Sequence, residues 1–330
     1  MSTDKDTSAS SSFVHLHVHS HYSLLNALPK IPDLVAEAKK YGMETLALTD
    51  AGNLYGAIEF YQACKKKGIK PIIGVDFYMA LRTRKDMQAG VDNRRTRLIL
   101  LAKNFEGYKN LIKLVTYSNL EGFYYKPRID KELIEKYKEG LVCISPSFSS
   151  DISQVMKNGD IEKAKEKISF YKSVYGDENF FIEITRHPEI STHEFLMQEL
   201  LKLAEETKTQ ITAGHDVYYL HPEDKKARDT LMLVSTSHDM SDRVSVEGGV
   251  HQLAGDKEEI DFSFISQGKA RELFKDIPLA LENTRKIANM CNLDITLGKW
   301  VFPNYIVESG LSYDEEFRRI AYEGLDKRGM

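Results

Sequence analysis

Residues 13–22, FVHLHVHSHY, set four histidines, His15, His17, His19 and His21, at every second position. An extended strand sends alternate side chains to opposite faces, so the stretch is predicted to be a strand with imidazoles on one face and Val14, Leu16 and Val18 on the other. Two imidazoles of an HxH pair stand about 7 Å apart in Cα position, close enough to share a transition metal. The competing reading is a solvated histidine face or a tag remnant. Tags are contiguous runs, whereas here Val and Leu, good strand formers, separate the histidines.

Outward from this stretch the chain alternates strand and helix. Strands are predicted at Thr45–Thr49, Ile69–Phe77, Arg97–Ala102, Gly140–Ser145, Phe180–Ile184 and Gln210–Ala213, which with the histidine strand makes seven. Helical spacing marks Ile31–Tyr41, Gly56–Lys67, Gly107–Asn119, Ile161–Tyr175 and His193–Thr207. Pro32 near a helix start, Gly42 just past its end, and Lys65 to Lys67 closing a helix against its dipole fit those boundaries. The segment Ala80–Arg95 reads as a surface excursion.

Such alternation implies a parallel sheet with covered faces, either an open doubly wound sheet or a closed barrel. No glycine-rich phosphate loop follows the first strand, which lowers the nucleotide-fold option. Function in a barrel sits where the strands end, and His19, Asp50, Asp76, Ser147 and Asp216 fall at such ends. After Asp224 the pattern changes to helices at Asp224–Thr236, Lys269–Phe274, Pro278–Cys291 and Tyr313–Lys327, with a loop-rich stretch at Ser241–Gln267. The chain ends without a clear closing element, which suggests a piece of something longer.

The 330 residues, 42% hydrophobic and 28% charged with a formal net charge of -4, describe a soluble globular protein and not a generally basic nucleic-acid coat. Cys64, Cys143 and Cys291 are few, scattered and odd in number, which fits a reducing cytoplasm and excludes a disulfide framework or a CxxC zinc site. Residues 1–12 read as a polar, disordered leader with no signal-peptide core.

The metal candidates by position are His17, His19, Asp50, Asp76, His215 and Asp216. Alone, each aspartate would be an ordinary turn or cap residue and His215 a surface imidazole; it is their joint placement at strand ends that favours a metal. The aromatic and basic run Glu121–Asp130 is either a nucleic-acid stacking segment or, preferred, a packed loop. Trp300 and Phe302 are expected to pack at an interdomain seam. Ser145 and Ser147 lack a nucleophile elbow, so a serine triad finds no support.

Several long motifs together carry a resemblance. The runs HLHVHSHYSLLNA, LALTDAGNLYGAIEFYQACKKKGIKPIIGVDFY, LLAKNFEGYKNLIKLVTYSNLEGFYYKPRID, HDVYYLHPED and LENTRKIANMCNL resemble, in order, the N-terminal PHP (polymerase and histidinol phosphatase) domain of bacterial replicative DNA polymerase III alpha subunits. The resemblance implies a distorted seven-stranded βα barrel over residues 13–296, then a linker and the start of a polymerase core over 297–330. It also implies up to three metal ions held by nine ligands at the barrel mouth.

Position by position, His17 and His19 match the HxH ligands, Asp216 matches the last aspartate, and Asp76 stands for a glutamate. Five positions depart from the pattern: Asn26 replaces an aspartate, Ala51 a histidine, Arg97 a histidine, Ser147 a cysteine and Tyr218 a histidine. What remains is a residual metal set of His17, His19, Asp76 and Asp216, able at most to hold one Zn²⁺ or Mn²⁺. Alanine has no donor atom and Arg97 brings a permanent cation, expected to pair with Asp76 or Asp216.

The implied function is therefore a structural and interaction module of a replicative polymerase with a degenerate metal site. The alternative is a metal-dependent phosphoesterase or 3′–5′ exonuclease using one residual metal. The resemblance further implies, as partners, a polymerase core with its own Mg²⁺, DNA bound through the parent protein, other replisome subunits and a separate proofreading exonuclease, in the cytoplasm and with no membrane.

Overall fold

The computed structural model describes residues 13–190, 192–236, 260–300 and 302–330. The predicted leader and most of the predicted loop at Ser241–Gln267 lie outside the described residues. The chain divides into two compact units, one through Asp294 and one from Ile295.

The first unit holds β1 (Thr45–Leu48), β2 (Lys70–Ala80), β3 (Arg95–Ala102), β4 (Phe123–Tyr124), β5 (Lys126–Ile129), β6 (Leu141–Ser145), β7 (Phe180–Ile184) and β8 (Gln210–Ala213). Its helices are α1 (Ile31–Lys40), α2 (Ala57–Lys67), α3 (Phe105–Leu120), α4 (Lys131–Lys136), α5 (Asp151–Lys157), α6 (Ile161–Tyr175), α7 (His193–Glu206), α8 (Lys225–Thr236), α9 (Gln267–Leu273) and α10 (Pro278–Met290). The second unit carries α11 (Tyr313–Lys327). No helix among the described residues is long and apolar enough to cross a membrane.

Strand pairing runs β1, β2, β3, β6, β7, β8. The histidine stretch closes the ring. On one side it takes backbone hydrogen bonds from Ala47 to His15 (3.1 Å) and from Thr49 to Val18 (2.8 Å); on the other His19 donates to Val217 (2.9 Å) and Val217 to His17 (3.2 Å). The result is a distorted seven-membered βα barrel in which the histidine stretch forms only an isolated bridge at Val18 rather than a regular strand.

The expected all-parallel sheet is corrected by β3, which runs antiparallel to both β2 and β6. Parallel neighbours need a crossover, commonly a helix, and residues 81–94 contain none, so the chain simply turns back. From the strand Gly140–Ser145 onward the pairing is parallel as expected, β6 to β7 and β7 to β8. Within Glu121–Asp130 the structure has a short antiparallel hairpin, β4 with β5. Arg128 is buried beneath it and donates to the carbonyls of Arg84, Asp86, Asp92 and Gly122.

Strand periodicity separates two cores. Leu98, Leu100, Cys143, Phe180 and Ile182 face the covering helices. Ile72, Ile99, Leu101, Val142, Ile144 and Phe181 face inward with Val14 and Leu16, and Ile287, Ala288 and Cys291 at the end of the chain's α10 segment join them. The helices end where their residues dictate: Asn104 caps α3 by accepting from Gly107 N, and Gly68, at φ 68°, ends α2 in the left-handed region.

Candidate metal centre

Continuing the inward-facing positions toward one end of the barrel changes apolar to polar. Ile72 leads to Asp76 along β2, Phe181 to Glu183 along β7, and Leu101 and Ile99 to Arg97 along β3. Because β3 runs backwards, its N-terminal end lies at the same mouth as the C-terminal ends of its neighbours, which is how Arg97 reaches the site.

Val14 and Leu16 already occupy the inner set, so the four histidines do not share one face as predicted. His15 turns away, its Nε2 2.9 Å from the carbonyl of Ile265 and its ring stacked on Phe264 at 4.4 Å. His21 lies beside the carbonyl of Pro29. Only His17 and His19 enter the mouth, with ring centroids 5.2 Å apart.

There His17 Nε2 lies 3.3 Å from Asp76 Oδ2, while its Nδ1 lies 3.3 Å from Glu183 Oε1 and 3.1 Å from Asp216 Oδ1. His19 Nε2 is 3.6 Å from Asp76 Oδ2. The ligand atoms fall into two groups sharing His17, one with His19 and Asp76 and one with Glu183 and Asp216, each within 4.8 Å. The structure thus gathers His17, His19, Asp76 and Asp216. Asp50 and His215 are not among them: Asp50 binds Ser20 and Ser23, and His215 Nε2 pairs with the carbonyl of Ser263.

Glu183 was not singled out from the sequence. The signal was present, since it is the one charged residue of the strand FFIEI and is buried there beside Ser147, whose backbone N–H it accepts at 3.2 Å.

The five departing positions are each tied into the structure. Arg97 binds Asp76 with both arms of its guanidinium, Nε to Oδ1 at 3.0 Å and Nη2 to Oδ2, and lies over the Tyr78 ring at 4.1 Å. Tyr218 stacks on His19 at 4.5 Å, with Arg228 4.1 Å from its centroid, and Arg228 in turn bonds Asn26 Oδ1 at 3.2 Å. Ser147 Oγ pairs with Thr185, and Ala51 N donates to Ser23.

Charge balance follows. Burial works against the charged form of His17, but Asp216 and Glu183 outweigh it and raise its pKa well above 6.5. Burial and then the neighbouring His17 push His19 well below that value. Asp76 is held below the usual carboxylate range against its burial, first by Arg97 and then by His17. Asp216 is held at about 2 against its burial by His17, whereas burial wins at Glu183 and raises it.

The donor set fits one divalent ion better than several. His19 Nε2 is buried without a hydrogen-bond partner, as a vacant ligand atom would be. Asp76, however, is already ion-paired with Arg97. Access is narrow too: side-chain exposure is 3% for His17, 0% for His19, 2% for Asp76 and 7% for Asp216.

Trp300 and Phe302, expected at an interdomain seam, stack on each other at 6.5 Å within the second unit.

Comparison with known proteins places residues 15–187 in the PHP domain family model. The DNA polymerase III subunit alpha of Borreliella burgdorferi is 41% identical over 322 residues, covering 96% of this chain and 27% of that protein. The subunit of the same name from Treponema pallidum is 36% identical over 96% of this chain and 26% of its own length. The chain thus spans about a quarter of the length of these relatives. Among solved structures, an amidohydrolase from Chromobacterium violaceum is 12% identical with a TM-score of 0.42, covering 63% of this chain and 88% of its own.

Proposed function

The chain belongs to the PHP domain family, and from that membership we propose that it is the PHP region of a bacterial replicative DNA polymerase, a DNA polymerase III alpha subunit. Its work in DNA replication is that of a structural and interaction module around a degenerate metal site. The observation that carries this reading is the two-armed bond from Arg97 to Asp76 beside His17 and His19. A guanidinium stays charged at every accessible pH and matches a carboxylate in plane. It therefore supplies permanently the counter-charge that a bound ion would supply, and a divalent ion on Asp76 would meet that charge at contact range.

Tyr218 extends the same logic, laying an aromatic face on His19, and Arg228 stacks on that same Tyr218 ring. The partners in this reading are the polymerase core, where Mg²⁺-dependent nucleotidyl transfer resides, other replisome subunits, and a separate proofreading exonuclease, all in the cytoplasm.

The test is 3′ excision from a labelled primer by the purified chain in Zn²⁺ or Mn²⁺, beside His17→Ala. Equal, background-level rates are expected. Excision by the wild-type chain that His17→Ala abolishes would overturn the reading.

A second reading has one observation of its own. Among the candidate ligand atoms, Asp216 Oδ1 is buried 3.1 Å from His17 Nδ1 and lies within reach of Glu183. A Zn²⁺ or Mn²⁺ ion held by His17, Asp216 and their neighbours His19, Asp76 or Glu183 would supply Lewis acidity for phosphoester cleavage. A ligating imidazole must be unprotonated, so such an ion must first displace the proton that Asp216 and Glu183 hold on His17. Binding of this kind is weak.

A further inference from the structure

His19 sits at the end of a chain of hydrogen bonds that leads away from the mouth, and the protons in that chain can be counted. Asp50 Oδ1 accepts the Ser20 backbone N–H and the Ser23 hydroxyl, each at 2.7 Å, and Oδ2 accepts the Ser20 hydroxyl at 2.7 Å. The single hydroxyl proton of Ser23 is therefore committed to Asp50. Ser23 Oγ also accepts the backbone N–H of Ala51 at 3.0 Å. His19 Nδ1, 2.9 Å from the same oxygen, can bond to it only by donating. A neutral imidazole carries one N–H, so Nε2 is left as a bare lone pair.

That nitrogen is buried without a hydrogen-bond partner, 3.6 Å from Asp76 Oδ2. The opposite tautomer would have suited Asp76 by donating to it and closing the gap, at the cost of setting two lone pairs against each other at Ser23. The Tyr218 ring, stacked within 6° of parallel, holds the imidazole plane, so Nδ1 stays on Ser23 and Nε2 in the mouth. Three of the groups involved, Ser23, Asp50 and His19, are at most 3% exposed, so water does not scramble the pattern.

We propose that Ser23 and Asp50 are positioning residues that lock His19 in its Nδ1–H tautomer and so keep its Nε2 lone pair turned into the barrel mouth as an acceptor for a single divalent transition-metal ion. Ligating histidines are commonly oriented in this way, by an acceptor on the nitrogen that does not touch the metal. The relay also divides the labour of the HxH pair. His17 is bound on both nitrogens by carboxylates, while His19 presents the only uncommitted ring nitrogen of the two.

The experiment is long-range ¹H–¹⁵N correlation on the histidine-labelled chain at pH 7.5, for wild type, Ser23→Ala and Ser23→Thr, with the amide spectrum of each as the check on folding. Wild type is expected to show a protonated Nδ1 and a bare Nε2 at His19. Ser23→Ala should move His19 toward the Nε2–H form, and Ser23→Thr, which keeps the hydroxyl, should retain the original. An Nε2–H or doubly protonated His19 in wild type overturns the assignment even where a variant fails to fold. An unchanged tautomer in a folded Ser23→Ala chain overturns the role of Ser23.

Zn²⁺ alone, titrated to millimolar, should then shift Nε2 and not Nδ1 in wild type, with about tenfold more zinc needed for half the shift in Ser23→Ala. An Nε2 signal that zinc leaves unmoved in wild type overturns the acceptor role. This last arm rests on the residual one-metal reading and the tautomer arm does not, so the two failures are told apart.

Discussion

At the scale of single residues the decisive contact is Arg97 with Asp76. Asp76 is 1% exposed and surrounded by His17, His19 and Arg97, so its charge is tolerated only because cations face it. Arg97→Ala removes the larger of those partners and leaves a buried carboxylate short of compensation. We expect a loss of about 3–5 kcal/mol in urea unfolding, with much of it recovered when Asp76→Leu is added, because removing both partners removes the uncompensated charge. A loss within the range of a surface pair, about 1 kcal/mol or less, would mean that the pair carries little. Much of this site was legible beforehand: His17, His19, Asp76, Asp216 and the intrusive Arg97 all follow from residue type and position in the resemblance. Glu183 did not, because one acid in a five-residue apolar strand is equally an edge residue until the barrel closes and turns it inward. The failure at His15 has a physical cause as well. Strict alternation holds only in a regular strand, and the histidine stretch is a single bridge whose inner positions Val14 and Leu16 take.

At the scale of elements, strands and long helices were readable from periodicity, and so was the short α9, whereas the short α4 and α5 were not. Both α4 and α5 are fixed by one N-cap each, Asp130 accepting from Leu133 N and Ser150 from Ser153 N, and such short turns carry too little pattern to stand out. The reversed direction of β3 was equally hidden, since a strand's sequence does not encode its sense and only the missing helix before it does. Two elements meet so closely that a methyl group does not fit: a Cβ on Gly107 of α3 would lie 1.9 Å from the carbonyl oxygen of Gly140, ahead of β6. Gly107→Ala should therefore cost about 1–3 kcal/mol although alanine is the better helix former, and a thermal midpoint equal to or above wild type would contradict the packing. Arg128 ties residues 81–95 to the β4–β5 hairpin through three carbonyls, those of Arg84, Asp86 and Asp92. Replacing it with Lys, which cannot span them, should open that excursion to limited proteolysis within 81–94 while the barrel core persists; an unchanged digestion pattern would show the excursion to be held by other contacts.

At the scale of the whole molecule, burial of imidazoles sets the response to acid. His15 is lowered to about 3 and His193 and His215 to about 4, in each case chiefly by burial, and His19 is lowered too. These rings bind protons near 6.5 when unfolded and resist them when folded, so their contribution to stability is full above 6.5 and is lost as pH falls through the window toward 4. Three groups oppose the trend because they take up protons in the folded state first: Asp50, raised to about 6 by burial, Glu183, and His17, which Asp216 and Glu183 hold protonated well above 6.5. Below about 6.5, where His17 is protonated in both states, four rings against two carboxylates leave a net loss as pH falls, up to about 3 kcal/mol per pH unit. The urea midpoint should drop sharply between pH 7 and pH 5, and a flat or rising midpoint over that interval would contradict the buried histidine network. In the reading proposed above, the Arg97 guanidinium stands at the barrel mouth in place of an ion. Elemental analysis of the chain, equilibrated with excess Zn²⁺ and Mn²⁺ and then gel-filtered, measures that replacement most directly, with Arg97→His analysed alongside. The account predicts clearly substoichiometric metal in wild type and a rise in Arg97→His; one or more tightly retained ions per wild-type chain would contradict it.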